Sequence, residues 1–184
     1  MIYATPRLFV RRFLPQDLMD AYAIVSDPEV AKYESWDAFD LEETREDLEI
    51  QGAVEPGTCE VWNEFAVTLR EGGKCIGNIS FKRGEAEQGQ AEMGFHFNRA
   101  YHGQGYGSEA VAGLIDWLFG IGVHRVWAVS DTRNFASWKM MEKLGMRREA
   151  HMRENCKVKG EWADEYQYAL LEPEWRALQA ARAR

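Results

Sequence analysis

Cysteine is scarce in this chain, with three in 184 residues. Cys59, Cys75 and Cys156 are an odd, scattered set without C-x-x-C spacing, so they read as buried thiols in a reducing cytoplasm. No apolar run is long enough to span a bilayer, and the start, Met1-Ile2-Tyr3-Ala4-Thr5-Pro6, lacks a secretory pattern. A cytoplasmic protein with no membrane partner is the expectation. Positive charge is in deficit: 22 Lys and Arg stand against 30 Asp and Glu, for a formal net charge of −8. That balance argues against a nucleic-acid partner, which would need a basic face. It is compatible with a cationic partner such as an amine or basic peptide, although most acidic proteins are simply soluble. His96, His124 and His151 show no ligand spacing, so no metal is expected. Repeats, low-complexity tracts and linkers are absent as well. With 46% hydrophobic residues, the chain reads as a single α/β domain over 1–184 with one sizeable core.

What the chain does have is a clear periodic order. Leu8, Val10 and Arg12 alternate with Arg7, Phe9, Arg11 and Phe13, which predicts a first strand. Leu18, Ala21, Tyr22 and Val25 follow helical spacing, with Pro15 near the start and Asp27-Pro28 ending the helix. A second, acidic helix is predicted over 41–51. Strands follow near 65–69 and 75–81, joined by the hairpin signal Gly72-Gly73. The polar loop 84–90 leads to a strand over 91–98. Gly107, Ala110, Val111, Leu114, Ile115, Leu118 and Phe119 then repeat at three and four residues, the buried face of a long helix. A strand over 125–129, a helix over 134–144 ended by Gly145, and strands near 146–154 and 162–171 complete the sheet. The tail from Pro173 to Arg184 reads as a short helix or frayed end.

The most informative stretch is His102-Gly103-Gln104-Gly105-Tyr106-Gly107-Ser108-Glu109-Ala110. It sets closely spaced glycines between a strand and an amphipathic helix. Glycines there let backbone N–H groups approach a ligand with no Cβ in the way. The helix adds unpaired N–H groups and a partial positive charge at its first turn. Together they suit a phosphate or pyrophosphate. Tight packing before a helix is the bland alternative for such a loop.

The order strand, two helices, three antiparallel strands, helix, strand, helix, two strands resembles the GCN5-related N-acetyltransferase (GNAT) fold. The glycine segment is similar to that family's acetyl-CoA motif, Q/R-x-x-G-x-G/A, with His102 at the first position, where Gln, Arg or Trp is usual. Further phrases resemble the RimJ/RimL-like ribosomal-protein N-acetyltransferase branch. These are Thr5-Pro6-Arg7-Leu8, Ser26-Asp27-Pro28-Glu29-Val30, Glu92-Met93-Gly94-Phe95, Asn134-Phe135-Ala136-Ser137, and Glu142-Lys143-Leu144-Gly145-Met146. The resemblance spans Thr5 to Trp175. It implies an α/β fold of the α+β type: a mixed, mostly antiparallel sheet of about seven strands, helices on both faces, and a splay between the fourth and fifth strands.

The resemblance also implies roles. Gly103, Gln104, Gly105, Tyr106, Gly107 and Ser108 would cradle the pyrophosphate of acetyl-CoA, with His102 either bonding a phosphate oxygen or riding passively at the surface. Met93, Gly94 and Phe95 would pair with the pantetheine arm as an added strand does, and the Phe95 N–H would supply the oxyanion contact. Glu92 occupies the place of a glutamate base in related enzymes; a structural carboxylate is the alternative. Asn134 would contact the arm or an ordered water, and Ser137 would donate a proton to the departing sulfur. Both also read as capping residues, and the two roles can coexist. Tyr33 and Trp36, with the acidic stretch Glu42-Glu43-Thr44-Arg45-Glu46-Asp47, border the acceptor cleft in this family, although an acidic helix is more often a solvated face. Tyr166 and Tyr168 either line that cleft or pack. Trp138, Met140, Met141 and Leu144 read as core.

The chemistry implied is direct transfer, since no cysteine pairs with an evident base. An α-amine, with a pKa of ~8, is about a tenth neutral near pH 7, whereas a lysine at ~10.4 is almost wholly charged. An N-terminal or weakly basic acceptor then needs only a modest base. The implied function is an acetyl-CoA-dependent N-acetyltransferase acting on a primary amine, an N-terminal peptide or a small amine, with a homodimer common in this branch. Two other readings stay open. One is a non-catalytic acyl-CoA-binding or regulatory module, which His102 favours and the Glu92, Asn134 and Ser137 set opposes. The other is a Rossmann-type oxidoreductase, which needs its glycines early in the chain rather than past the middle.

Overall fold

Alternating side chains build the centre of the molecule. Leu8 and Val10 of β2 (Leu8–Arg11), Phe65 and Val67 of β3 (Trp62–Leu69), Ile79 and Phe81 of β4 (Cys75–Arg83), and Met93 and Phe97 of β5 (Gln90–Phe97) are all buried on one face. Helix α4 (Tyr106–Gly120) covers that face with Ala110, Val111, Leu114, Ile115, Leu118 and Phe119, the set its periodicity predicts. Truncating one of these leucines to alanine costs about 2–5 kcal/mol in such a core. Helices α5 (Phe135–Leu144) and α6 (Glu172–Arg182) join it through Met141, Leu144 and Trp175. Across the sheet, α1 (Leu18–Val25) packs on β4 and α3 (Leu41–Ala53) on β3. The computed structural model describes residues 1–85 and 88–182. Positions 86–87 of the predicted polar loop and the last two residues of the tail lie outside the described residues.

One eight-stranded sheet runs in the order β1-β2-β3-β4-β5-β6-β8-β7, with β1 at Tyr3–Ala4, β6 at Arg125–Asp131, β7 at Arg147–Val158 and β8 at Glu161–Leu171. Among the strands of the described residues only β5 and β6 pair in parallel, and their register holds at just Gln90–Arg125, Ala91–Val126 and Glu92–Trp127. Past Glu92 the two strands part, which is the expected splay.

Eight strands among the described residues agree with the expected sheet of about seven, with one short strand added. The extra strand, β1, is two residues long and carries no readable periodicity; its Tyr3 hydroxyl donates to the Ala110 carbonyl at 2.6 Å, lying against Gly113 of α4. Asp27 does end α1, and it then caps a one-turn helix, α2 (Pro28–Ala31), by accepting from the Glu29 amide at 3.0 Å. Gly72 and Gly73, with φ of 77° and 67°, form the predicted hairpin turn. Of the cysteines only Cys75 is fully buried, and that burial pushes its thiol up to about 12. Cys156 is half-buried because it lies on the outermost strand, and Cys59 because it sits in the loop entering β3. No helix among the described residues is long and apolar enough to cross a membrane.

Candidate active site

The turn from β5 into α4 is shaped by two left-handed glycines, Gly103 (φ 74°) and Gly105 (φ 82°). An L side chain in that conformation costs about 1–2 kcal/mol. A Cβ on Gly103 would meet open space, so conformation alone calls for glycine there. Gly105 is the N-cap of α4 and brings no side chain to satisfy its first turn. Among the described residues, the amides from Gly103 to Ser108 have no intramolecular acceptor. Several free donors therefore converge at the positive end of a fifteen-residue helix, an arrangement that binds anions. Gly107 serves packing instead: a Cβ there would lie 3.3 Å from both the Met140 sulfur and the Phe97 ring.

Residues far away in sequence clasp this turn. The Thr5 hydroxyl, the Arg7 amide and the Arg7 Nε donate to the Glu109 carboxylate at 2.6, 2.9 and 2.6 Å. Arg7 Nη1 also donates to the Gln104 carbonyl at 3.0 Å, and its guanidinium lies 4.3 Å over the Tyr106 ring. Burial alone would raise the Glu109 carboxyl, but these bonds outweigh it and hold the group below its ordinary range. A charge that would repel a phosphate is thereby paired off. Gly105 and Ser108 border a cleft of about 380 Å³ whose rim carries Lys143 and Arg182.

His102 is exposed, and its Nε2 lies 2.9 Å from the Phe97 carbonyl. That bond also reports on strand orientation. The Asn98 amide donates to Ile76 of β4, so even-numbered backbone groups of β5 face β4. In an antiparallel pair the odd-numbered ones then face away. The amides of Met93 and Phe95 accordingly point into the gap left where β6 diverges.

Glu92 is the last β5 residue paired with β6, at the fork of the split. It lines a second cleft, of about 380 Å³, with Lys82, Trp127 and Gln167. Burial raises its carboxyl above the ordinary value; Lys82 pulls the other way and Glu165 adds to the rise. A carboxyl with raised proton affinity suits proton transfer near neutrality.

Past the end of β6, Asn134 caps α5 by accepting from the Ser137 amide at 3.3 Å. The capping role of Asn134 is thus present, with Ser137 on the same first turn. Tyr33 lies under the guanidinium of Arg133, the residue before Asn134, at 5.9 Å, which brings the segment carrying Tyr33 to this edge. Trp36 packs edge-on against Phe39 and His96, and its carbonyl and Asp37 are held by Lys159 from the β7–β8 turn. Tyr168 packs: it is fully buried, with its hydroxyl on Glu142 at 2.8 Å, while Tyr166 stays partly buried beside Trp138. Met141 and Leu144 are core, and Trp138 and Met140 pack against it. Of the acidic stretch, Glu42, Glu43 and Glu46 are exposed, whereas Asp47 turns toward the sheet.

Sequence reasoning missed the polar residues of the opposite sheet face: Glu64, Asn78 and His96. One signal was available, since Glu92, Gly94 and His96 alternate on β5 and must share a face.

Comparison with known proteins closes the identification. A family model described as "Acetyltransferase (GNAT) domain" matches residues 7–147. The chain is 36% identical over 177 residues to the uncharacterized N-acetyltransferase YnaD of Bacillus subtilis (strain 168), covering 95% of this chain and 99% of that one. Among solved structures it is similar to a GNAT-family acetyltransferase from Bacillus anthracis, with a TM-score of 0.83 and 32% identity over 93% of this chain and 98% of that one. It also shares the fold of spermidine N-acetyltransferase from Vibrio cholerae, solved with CoA and spermine, at a TM-score of 0.78, 16% identity and coverage of 92% and 98%. With this match running through the glycine turn, the split strand pair and the capped α5, the chain belongs to the GNAT acetyltransferase family.

Proposed function

We propose that this protein is an acetyl-CoA-dependent N-acetyltransferase that moves an acetyl group to a primary amine, an N-terminal peptide or a small amine, by direct attack. The observation that carries this reading is the row of free amides from Gly103 to Ser108 opening beside the unpaired edge of β5. The residues fit the cosubstrate: the amides and the α4 terminus take a pyrophosphate, His102 flanks it, and the gap-facing edge of Met93, Gly94 and Phe95 accepts an extended amide-bearing arm. Bound there, the cosubstrate supplies an activated thioester. Glu92 takes a proton from the amine, directly or through water. The Phe95 amide faces the developing oxyanion, and Ser137 protonates the departing sulfur. Asn134 orients the arm while capping α5. Tyr33 and Trp36 border the acceptor. The Vibrio cholerae relative's complex with CoA and spermine is in keeping with a CoA thioester and an amine as reactants. The RimJ/RimL-like branch, a single domain, a cytoplasmic location and a homodimer belong to the same reading.

Acetyl-CoA is expected to raise the melting temperature by mass action, with NADH as the control. No shift at millimolar acetyl-CoA, or a shift with NADH instead, overturns the proposal. A panel of amines and N-terminal peptides scored for acetyl-CoA-dependent thiol release then identifies the acceptor. Ser137→Ala is expected to lower turnover more than cofactor affinity, and unchanged thiol release removes Ser137 from the mechanism.

A further inference from the structure

The sheet face away from α4 gathers carboxyl groups that come from several segments. Cross-strand register places Glu64, Ser80 and Gly94 in one row and Ala66, Asn78 and His96 in the next. Asn78 Nδ2 donates to the Glu64 carboxylate at 2.9 Å, and the Glu64 amide is held by the Gln51 side chain of α3 at 3.2 Å. Asp47, on the same helix, adds its charge to the same place, and Glu34 lies 3.4 Å from His96 Nε2. Burial raises the Glu64 carboxyl, the charge of Asp47 raises it further, and His96 and the Asn78 bond offset part of that. Burial raises Asp47 as well. Asp47 and Glu64 thus share one place, with the His96 ring between it and Glu34. Among the described residues, no lysine or arginine bridges Asp47 or Glu64.

An independent observation points to what is missing. Asn78 is 8% exposed, yet its Oδ1 is buried without any hydrogen-bond donor. An unmet acceptor beside carboxylates calls for a group with several N–H donors and a positive charge, which describes an ammonium. The Trp36 ring, 5.5 Å from His96, adds an aromatic wall of the kind that attracts cations and covers methylenes. Distance assigns the role. Glu64 sits two strands from Gly94, about 10 Å at a strand spacing of ~4.8 Å, too far to touch an amine reacting at the open edge of β5.

We propose that Glu34, Asp47, Glu64 and Asn78 Oδ1 form a subsite for the second, non-reacting ammonium group of an alkyl diamine acceptor. This deepens the amine N-acetyltransferase reading and rests on it, by naming the acceptor class.

Putrescine and butylamine, which differ by that second amine, test the subsite in two ways. Their binding is measured by calorimetry on the wild-type protein, and both are assayed for acetyl-CoA-dependent thiol release. Putrescine is expected to bind roughly tenfold tighter than butylamine, and Glu64→Gln to remove that advantage while butylamine is unaffected. Asp47→Asn is expected to act in the same direction, which keeps the test decisive if Glu64→Gln folds poorly by circular dichroism. Equal binding of the two amines, or putrescine affinity that neither substitution changes, overturns the subsite. So does a complete lack of diamine binding, the result expected if Glu64 is simply protonated against Asn78. Loss of the acetyl-CoA thermal shift would instead overturn the reading beneath it, so the two failures are told apart.

Discussion

The glycine turn before α4 and the polar face of the sheet are assembled in opposite ways. The turn is seven consecutive residues, His102 to Ser108, and what it offers is mostly backbone N–H. The polar face draws Glu34, Asp47, Glu64, Asn78 and His96 from separate segments and offers side chains. A contiguous turn with two left-handed glycines presents its donors wherever a strand feeds a helix. A side-chain cluster exists only while β3, β4 and β5 keep register under α3. On the proposed roles, the first region should tolerate change in the acceptor, and the second should change without disturbing the cofactor.

Glu92 stands at the fork of β5 and β6, and its loss should have the largest effect. Glu92→Gln is expected to lower kcat about 100-fold with little change in acetyl-CoA affinity. Burial raises this carboxyl, and it must be ionised to accept a proton. Wild-type kcat/KM should therefore climb with pH through a value above the ordinary carboxylate range, and the variant should lose that limb. An unchanged pH profile would remove Glu92 as the base.

Gly105→Ala should come next. Its φ of 82° makes an L residue cost about 1–2 kcal/mol in stability, and the displaced amides should raise the KM for acetyl-CoA roughly tenfold. An equal rise in the acceptor KM would break the separation drawn between the two regions.

Arg7→Ala should be milder, because its side chain is 45% exposed. Losing its bonds to Glu109 and Gln104 is expected to cost about 1 kcal/mol by denaturant unfolding and to weaken acetyl-CoA binding by a smaller factor than Gly105→Ala. No change in either quantity would mean that the clasp is ornamental.

The smallest effect concerns Glu64 without any amine present. A carboxyl raised in the folded state binds its proton more tightly there than in the unfolded chain. Stability then falls as pH rises through the window between the ordinary and raised values. Glu64→Gln lacks that loss, so its melting temperature near pH 7 should exceed wild type by a few degrees, and the gain should shrink near pH 4. A gain independent of pH would point to packing rather than charge.

Much of the fold was legible because it is written locally. The helical face of α4, the Gly72-Gly73 hairpin, the Asn134 cap and the Gly145 stop each follow from a few adjacent residues. The strand β1 was not, since two residues have no period. Thr5 and Arg7 could be read as part of a familiar phrase, but not as the partners of Glu109 about a hundred positions on. His102 gave no hint that its ring would reach the Phe97 carbonyl. His96 was set aside for want of metal-ligand spacing, though its alternation with Glu92 already put it on the polar face.

The amino-acid order by itself determined the glycine turn at the head of α4, since glycine conformation and a helix N-terminus are local properties that need no partner. It likewise determined which side of each strand is apolar. The tertiary structure alone decided where β5 and β6 part, which carboxylates meet over β3 and β4, and which acceptor atom is left unmet. Those depend on register and helix packing, where a shift of one residue turns every side chain to the other face.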